Sequence, residues 1–347
     1  MGNQANDETY YSLRIREVVE ETDDAKSLVF EVPPAAAEAF RYRPGQFLTL
    51  RIPNEGRHLL RCYSLASCPL LDEAPRVTVK RVVEGRASNW ICDGVKAGDA
   101  IEVKPPAGHF TPRSLDGDFL LFAGGSGITP IMSILKSALL SGRGRLFLIY
   151  ANRDERSVIF RHALNTLVRE HPTRLQIVHW LDSVQGIPFA ANLEQLAQPF
   201  SAADCYVCGP EAFMDTTLTA VRALGLPPAR IHVERFVSLP DEEGVAPETL
   251  AAPADEEIQL EVELDGVHHD LKCSRSEPLL NAMLRAGLKA PHSCRAGACA
   301  TCMCTLEAGE VHLRNNQVLD KNDLAQGWIL ACQAIADTPS VRVRFPD

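Results

Sequence analysis

At 347 residues the chain is too long for one ordinary hydrophobic core and is read as two or three domains. Its hydrophobic content of 46% and charged content of 23% are those of a soluble globular protein. A net charge of -10 disfavours nucleic acid or an anionic membrane as a partner, because either calls for a basic surface that releases counterions, and suits a basic docking partner instead.

The opening MGNQANDETYY lacks the basic-then-apolar pattern of an export signal, and no apolar run approaches the ~18 residues of a membrane span. The expectation is a cytoplasmic protein whose eleven cysteines stay reduced, so that clustered cysteines point to a metal and not to disulfides. Taken in chain order, residues 10–112 carry short β-like runs at Leu13 to Val19, Ser27 to Val32, Gln46 to Ile52, Arg76 to Val83 and Ala100 to Val103, separated by turns such as RPGQ and KAGD. This pattern predicts a small antiparallel barrel. Residues 113–237 alternate strands (Phe119 to Ala123, Arg145 to Ala151, Leu175 to Leu181, Cys205 to Cys208) with helices starting near Thr129, Val158 and Glu211, which predicts a doubly wound α/β domain with a parallel sheet. Residues 238–257, SLPDEEGVAPETLAAPADEE, hold seven acids, three prolines and no base, and read as a solvated linker. In the last block, 258–347, Ile258 to Leu264 alternates like a strand and Pro278 to Ala286 like a helix, before CRAGACATCMC.

That cysteine-rich stretch is read from its spacing. Cys294, Cys299 and Cys302 form C-x4-C-x2-C, and Cys332 follows in WILACQA, the plant-type pattern for four thiolates around a [2Fe-2S] cluster. A structural zinc site would show two C-x2-C pairs, whereas only Cys299 and Cys302 have that spacing. Cys304 is left over and reads as a small buried hydrophobe in the strand after the loop. Upstream, AGGSGITPI follows an apolar strand and opens a helix. Gly124, Gly125 and Gly127 would let a pyrophosphate approach backbone N–H groups there. YVCGPEAFM places Cys208, Gly209 and Pro210 at another strand end just before a helix, where nucleotides bind open parallel sheets. Each motif alone is compatible with an ordinary tight turn; together and in order they indicate nucleotide binding. In the first block, Arg61 of RCYSLAS suits a pyrophosphate, Tyr63 a flat ring and Ser64 a ring nitrogen, while Gly85 and Ser88 of GRASNW suit a second phosphate.

In these motifs the chain resembles the ferredoxin–NADP reductase superfamily, in the branch that carries its own C-terminal [2Fe-2S] domain. Within it, the likeness is to the reductase components of 3-ketosteroid 9α-hydroxylase and phenylacetyl-CoA epoxidase. The resemblance implies a flavin-binding β-barrel, an NAD(P)-binding α/β domain and an α+β β-grasp ferredoxin domain. It implies that Arg61 binds the flavin pyrophosphate, Tyr63 stacks on the isoalloxazine, Ser64 bonds near flavin N5, and Gly85 with Ser88 holds flavin phosphate. It places Thr129 and Pro130 beside the flavin, Cys208 near the nicotinamide carbon that gives up hydride, and Glu234 and Phe236 of IHVERF at the domain end next to the flavin. For Glu234 a proton relay and an exposed carboxylate without a mechanism both stay open. FAD is favoured over FMN, because FMN-using relatives tend to carry asparagine where this chain has Ser67. In NRDER, Arg153 and Arg156 would suit the 2′-phosphate of NADPH and Asp154 or Glu155 the free ribose of NADH; the resemblance leans to NADH. The implied activity passes hydride to FAD and then single electrons through the cluster to a partner oxygenase, of Rieske type or alternatively a diiron enzyme or desaturase. No Rieske C-x-H motif is present that would make the chain an oxygenase itself, and a stand-alone redox sensor is the remaining non-enzymatic reading.

Overall fold

The computed structural model describes residues 10–54, 57–72, 74–236, 256–319 and 321–346, so the acidic linker lies, but for its last two residues, outside the described residues. The chain divides into two compact units, one of 11–54 with 62–236, the other built mainly from the C-terminal block.

The first unit opens with an antiparallel sheet of β1 (Tyr11–Thr22), β2 (Ala25–Glu31), β3 (Phe47–Asn54), β4 (Arg57–Ser64, of which only residues 62–64 belong to this unit), β5 (Arg76–Lys80) and β6 (Ala100–Val103). Its strands lie in the order β4-β3-β6-β1-β2-β5. The period-2 pattern is plain in β1, where buried Leu13 and Ile15 alternate with exposed Ser12, Arg14 and Arg16. Helix α1 (Arg86–Gly94) interrupts the barrel between β5 and β6. The run from Arg76 was expected to reach Val83 but ends at Lys80, because Val82 and the Ser88 hydroxyl turn the chain into α1.

The nucleotide block follows: β7 (Phe119–Gly124), α2 (Ile128–Ser141), β8 (Leu146–Asn152), α3 (Arg161–Glu170), β9 (Leu175–Leu181), α4 (Asp182–Gln185), α5 (Ala190–Ala197), β10 (Asp204–Cys208), α6 (Glu211–Ala223) and β11 (Ile231–Glu234). The strands are parallel in the order β11-β10-β7-β8-β9. Every residue of β7 and β8 is buried, as expected where helices cover both faces. Alternate residues feed two cores: Leu121, Leu148 and Tyr150 pack with α2 and with barrel residues Ala66 and Phe110, while Phe122, Phe147 and Ile149 pack with α5 and α6. The barrel therefore shares one core with the nucleotide sheet, and Ser133 Oγ of α2 donates to Ser67 O at 2.6 Å to reinforce the joint. The helix expected near Val158 begins at Arg161 instead. Asp154 caps a 3-10 turn over Glu155–Ser157, and Phe160 is left-handed (φ 61), which breaks the helical path before it can start.

In the second unit, β12 (Glu257–Leu264), β13 (Val267–Ser274), α7 (Leu279–Arg285), β14 (Met303–Ala308), β15 (Val311–Leu313), α8 (Lys321–Ala325), β16 (Trp328–Leu330), β17 (Ala334–Ala336) and β18 (Ser340–Arg344) form a mixed sheet, β13-β12-β18-β14-β16, with a small β15-β17 ribbon beside it. Leu279, Leu280 and Met283 of α7 pack on Leu260, Val262, Val341 and Val343, so the helix grips one face of the sheet. His268 and His269 lie on β13, and Cys304 is fully buried in β14.

Candidate flavin, nucleotide and thiolate sites

Strand order in the parallel sheet reverses between β7 and β10, which opens a crevice at their carboxyl ends. Both predicted nucleotide motifs end there. A Cβ on Gly127 would stand 2.1 Å from Cys208 O, and one on Gly124 would stand 2.7 Å from Pro210 Cδ. Only glycine allows the two loops to touch. Gly209 completes the contact, since its own Cβ would meet Gly124 Cα at 3.0 Å. Thr129 and Pro130 lie in the first turn of α2, both buried, and Thr129 Oγ1 donates to Ser126 O at 3.1 Å, bracing the glycine turn from within. Sequence reasoning missed Tyr150, whose hydroxyl donates to Gly125 O at 3.0 Å and accepts from Ile159 N–H at 3.2 Å. Nothing in an all-buried strand marks one tyrosine as a brace for a loop.

The barrel brings Ser64 of the flavin motif to the same crevice. On β4, alternation places Arg61 and Tyr63 on one face and Cys62 and Ser64 on the other. Cys62 Sγ lies 3.5 Å from Thr49 Oγ1, and Ser64 Oγ donates to Glu234 Oε2 at 3.1 Å. Pairing of β10 with β11 sets Glu234 beside Cys208. Ser64, Cys208 and Glu234 thus converge from three strands. Burial raises the Glu234 carboxyl to about 8, only partly offset by the Ser64 bond. The residue as a whole is half-buried, with its carboxylate end desolvated. Burial, with the Glu234 charge nearby, pushes the Cys208 thiol well up, so it is neutral.

Other expected contacts have different surroundings. The Ser88 hydroxyl accepts from Val82 N–H at 3.1 Å and donates to Gly85 O at 3.3 Å, so it closes the turn that starts α1. Arg153 Nη2 donates to Asp24 Oδ2 of the β1–β2 turn at 3.0 Å, and Asp154 spends its carboxylate on Arg156 N–H and Ser157 N–H. Lys80 sits between these groups: its Nζ is 3.8 Å from Asp24 Oδ2 and 3.7 Å from where a Gly125 Cβ would be. Phe236 is half-exposed at the end of the unit. Ser67 is buried and accepts from Tyr42 Oη at 2.6 Å and Arg76 N–H at 2.9 Å.

Four of the six cysteines of the second unit come as two thiol pairs, Cys294 with Cys299 and Cys302 with Cys332. The partner thiol's hydrogen bond lowers Cys299 in the first pair, and the same kind of bond lowers Cys332 while raising Cys302 in the second. Backbone N–H groups also aim at sulfur: Cys294 N–H at Cys299 Sγ and Ala296 N–H at Cys294 Sγ, both at 3.4 Å. Among the described residues no three His, Cys, Asp or Glu side chains converge on one point fit for a single ion. Two separate thiol pairs surrounded by N–H donors fit a two-iron cluster, in which each iron takes two thiolates.

These folds define a modular flavin- and iron–sulfur-dependent oxidoreductase: residues 12–111 match the oxidoreductase FAD-binding domain, 121–219 the oxidoreductase NAD-binding domain and 262–337 the 2Fe-2S iron-sulfur cluster binding domain. The chain belongs to the family of ferredoxin reductase components of monooxygenases. It is 49% identical over 337 residues to the ferredoxin reductase component of 3-ketosteroid-9-alpha-monooxygenase of Rhodococcus rhodochrous, covering 96% of each chain. It is 36% identical to one of the polypeptides of 1,2-phenylacetyl-CoA epoxidase of Escherichia coli, covering 97% of this chain and 98% of that one. The structure of phthalate dioxygenase reductase, which is described as modular electron transfer from pyridine nucleotides to [2Fe-2S], superposes with a TM-score of 0.59 at 26% identity, covering 97% and 98%. Among the described residues no helix is long and apolar enough to cross a membrane.

Proposed function

We propose that the chain is the NADH-oxidising reductase of a Rieske-type oxygenase that hydroxylates a steroid or aromatic substrate. The convergence of Ser64, Cys208 and Glu234 at the strand-order switch carries this reading, because it joins the flavin motif and the nucleotide motif in one crevice. Bound FAD would take two electrons as hydride and release them singly, which is what a [2Fe-2S] cluster can carry. Arg61 and Tyr63 would clamp and stack the flavin from the outer face of β4, and the first turn of α1, entered through Gly85 and Ser88, would hold its phosphate. Gly124, Gly125, Gly127, Gly209 and Pro210 keep backbone where a dinucleotide must approach, and Thr129 and Pro130 wall its inner side. The neutral Cys208 thiol and protonated Glu234 keep negative charge away from an arriving hydride. Cys294, Cys299, Cys302 and Cys332 would hold the cluster.

The oxygenase partner is argued from the relatives: those at 49% identity serve 3-ketosteroid-9-alpha-monooxygenase, against 36% for the epoxidase polypeptide. The test is reconstitution with NADH, a Rieske oxygenase and a steroid, with hydroxylated product as the readout. Product only with a diiron epoxidase would replace the partner. Tight flavin binding without reduction of any acceptor would replace the reductase reading with a sensor.

A further inference from the structure

The loop from Cys294 to Cys299 is held from outside by its carbonyls. Arg295 O accepts from Gln333 Nε2 at 2.9 Å, Ala296 O from Asn315 Nδ2 at 2.8 Å and Gly297 O from Gln317 N–H at 3.0 Å. Three successive peptide groups therefore have their oxygens tied to partners outside the loop. Left-handed backbone at Arg295 (φ 51) and Gly297 (φ 72) lets the chain turn this way. The opposite edge of the same loop presents N–H groups inward: Ala296 N–H meets Cys294 Sγ at 3.4 Å, and Gly297 N–H bonds Cys332. Packing leaves no slack, since a Cβ on Gly297 would come within 2.6 Å of Asn315 O and 3.0 Å of Gln333 Cγ. Gln333 directly follows Cys332, and its amide lies 3.7 Å from that sulfur, so one side chain ties both cysteine-bearing segments together.

We propose that Gln333 and Asn315 are positioning residues that raise the reduction potential of the iron–sulfur centre by holding the loop's carbonyls in place and so keeping its N–H groups on the sulfurs. Hydrogen bonds to sulfur stabilise the more negative, reduced form, so loosening them favours the oxidised form. This rests on the reading that Cys294, Cys299, Cys302 and Cys332 hold the cluster. Gln333→Met and Asn315→Leu keep side-chain bulk and remove the donor. In the full-length holoprotein, each variant is expected to retain iron and sulfide and to show a more negative midpoint potential in a mediator titration followed by electron paramagnetic resonance. Loss of iron to a chelator should also be about tenfold faster, as for other outer partners of metal ligands. The rate of flavin reduction by NADH should not change.

Wild-type protein without iron and sulfide would sink the thiolate reading itself. Wild-type protein with a cluster, and unshifted potentials in both variants, would overturn the positioning role alone. If Gln333→Met does not retain the cluster, Asn315→Leu decides: a negative shift supports the proposal and an unshifted potential overturns it.

Discussion

Ser64 and Glu234 stand 170 residues apart in the chain, yet the serine hydroxyl donates to the glutamate Oε2 at 3.1 Å. One comes from the barrel and the other from the last strand of the nucleotide sheet, so the bond closes the crevice between the two motifs. The Glu234 carboxyl is raised to about 8 by desolvation, against which the Ser64 bond pulls it down. Its folded value lies above its unfolded one. The stability this gives is thus complete at low pH and is lost as pH rises towards 8.

On the proposed function the same sign would govern turnover. Glu234 is protonated through neutral pH and ionises towards pH 8 and above, placing a desolvated negative charge beside Cys208 and, on the proposed reading, beside the hydride that would arrive there. Flavin reduction by NADH, followed by stopped flow across pH, should fall on the alkaline side. Glu234→Gln should flatten that limb. Ser64→Ala, which removes the bond that lowers the carboxyl, should move it to higher pH. An alkaline limb that stays in place in both variants would separate Glu234 from the chemistry.

Gly127 tests the contact between the two nucleotide loops. Its missing Cβ would be 2.1 Å from Cys208 O, and backbone on both sides leaves no flexible neighbour to give way. Gly127→Ala should cost ~1–3 kcal/mol, the usual penalty for overpacking, and raise the KM for NADH as the crevice widens. Gly94 in α1 is the matched control, with nothing within 4 Å of its missing Cβ. Gly94→Ala should raise stability by ~0.4–1 kcal/mol. Thermal melts and steady-state kinetics on the pair would check this, and equal melting temperatures would refute the clash.

The sequence makes much of this arrangement legible and some of it not. Strand Leu175–Leu181 and the start of α6 at Glu211 fall where the alternation of strand-like and helix-length runs puts them; the strand is legible from its apolar Leu175, Ile177, Val178, Trp180 and Leu181 even though, at the edge of the sheet, it is only partly buried. The start of α3 does not: the local capping of Asp154 and the left-handed Phe160 override a run that otherwise looks helical. The glycines of the crevice are legible as motifs, but the reason for them, contact with Cys208 O and Pro210, depends on a strand order that no linear pattern encodes. Glu234 is likewise ordinary in sequence and becomes unusual only by burial.

Cys332 and Cys304 separate cluster binding from packing. Both are buried, 28 positions apart, but Cys332 pairs with Cys302 while Cys304 lies in β14 with its thiol pushed up by burial. Cys332→Ser should abolish cluster absorbance and cytochrome c reduction while NADH still reduces the flavin. Cys304→Ser should keep the iron and lower the melting temperature, because it places a hydroxyl in an apolar interior at ~1–3 kcal/mol. Iron analysis of the two purified variants is the check, and iron loss in Cys304→Ser would make that residue a ligand.

On the proposed reading, coenzyme choice would turn on Asp24. Its carboxylate engages Arg153 at 3.0 Å and Lys80 at 3.8 Å, so the two cations share one anion, which would draw each of them in part away from the extra phosphate of NADPH. Arg153 is 69% exposed at its side chain, and a surface ion pair of this kind is worth ~0–1 kcal/mol. The preference is therefore shallow. Asp24→Asn should lower the KM for NADPH by up to about fivefold, in line with that energy, and leave the KM for NADH nearly unchanged. The Lys80 ammonium, whose pKa burial lowers and Asp24 props up, would lose that support, so the gain should fade at alkaline pH. Steady-state assays with both coenzymes at neutral and alkaline pH would measure this. A wild-type preference for NADPH, or an Asp24→Asn variant indifferent to it, would remove Asp24 from the selectivity of the site.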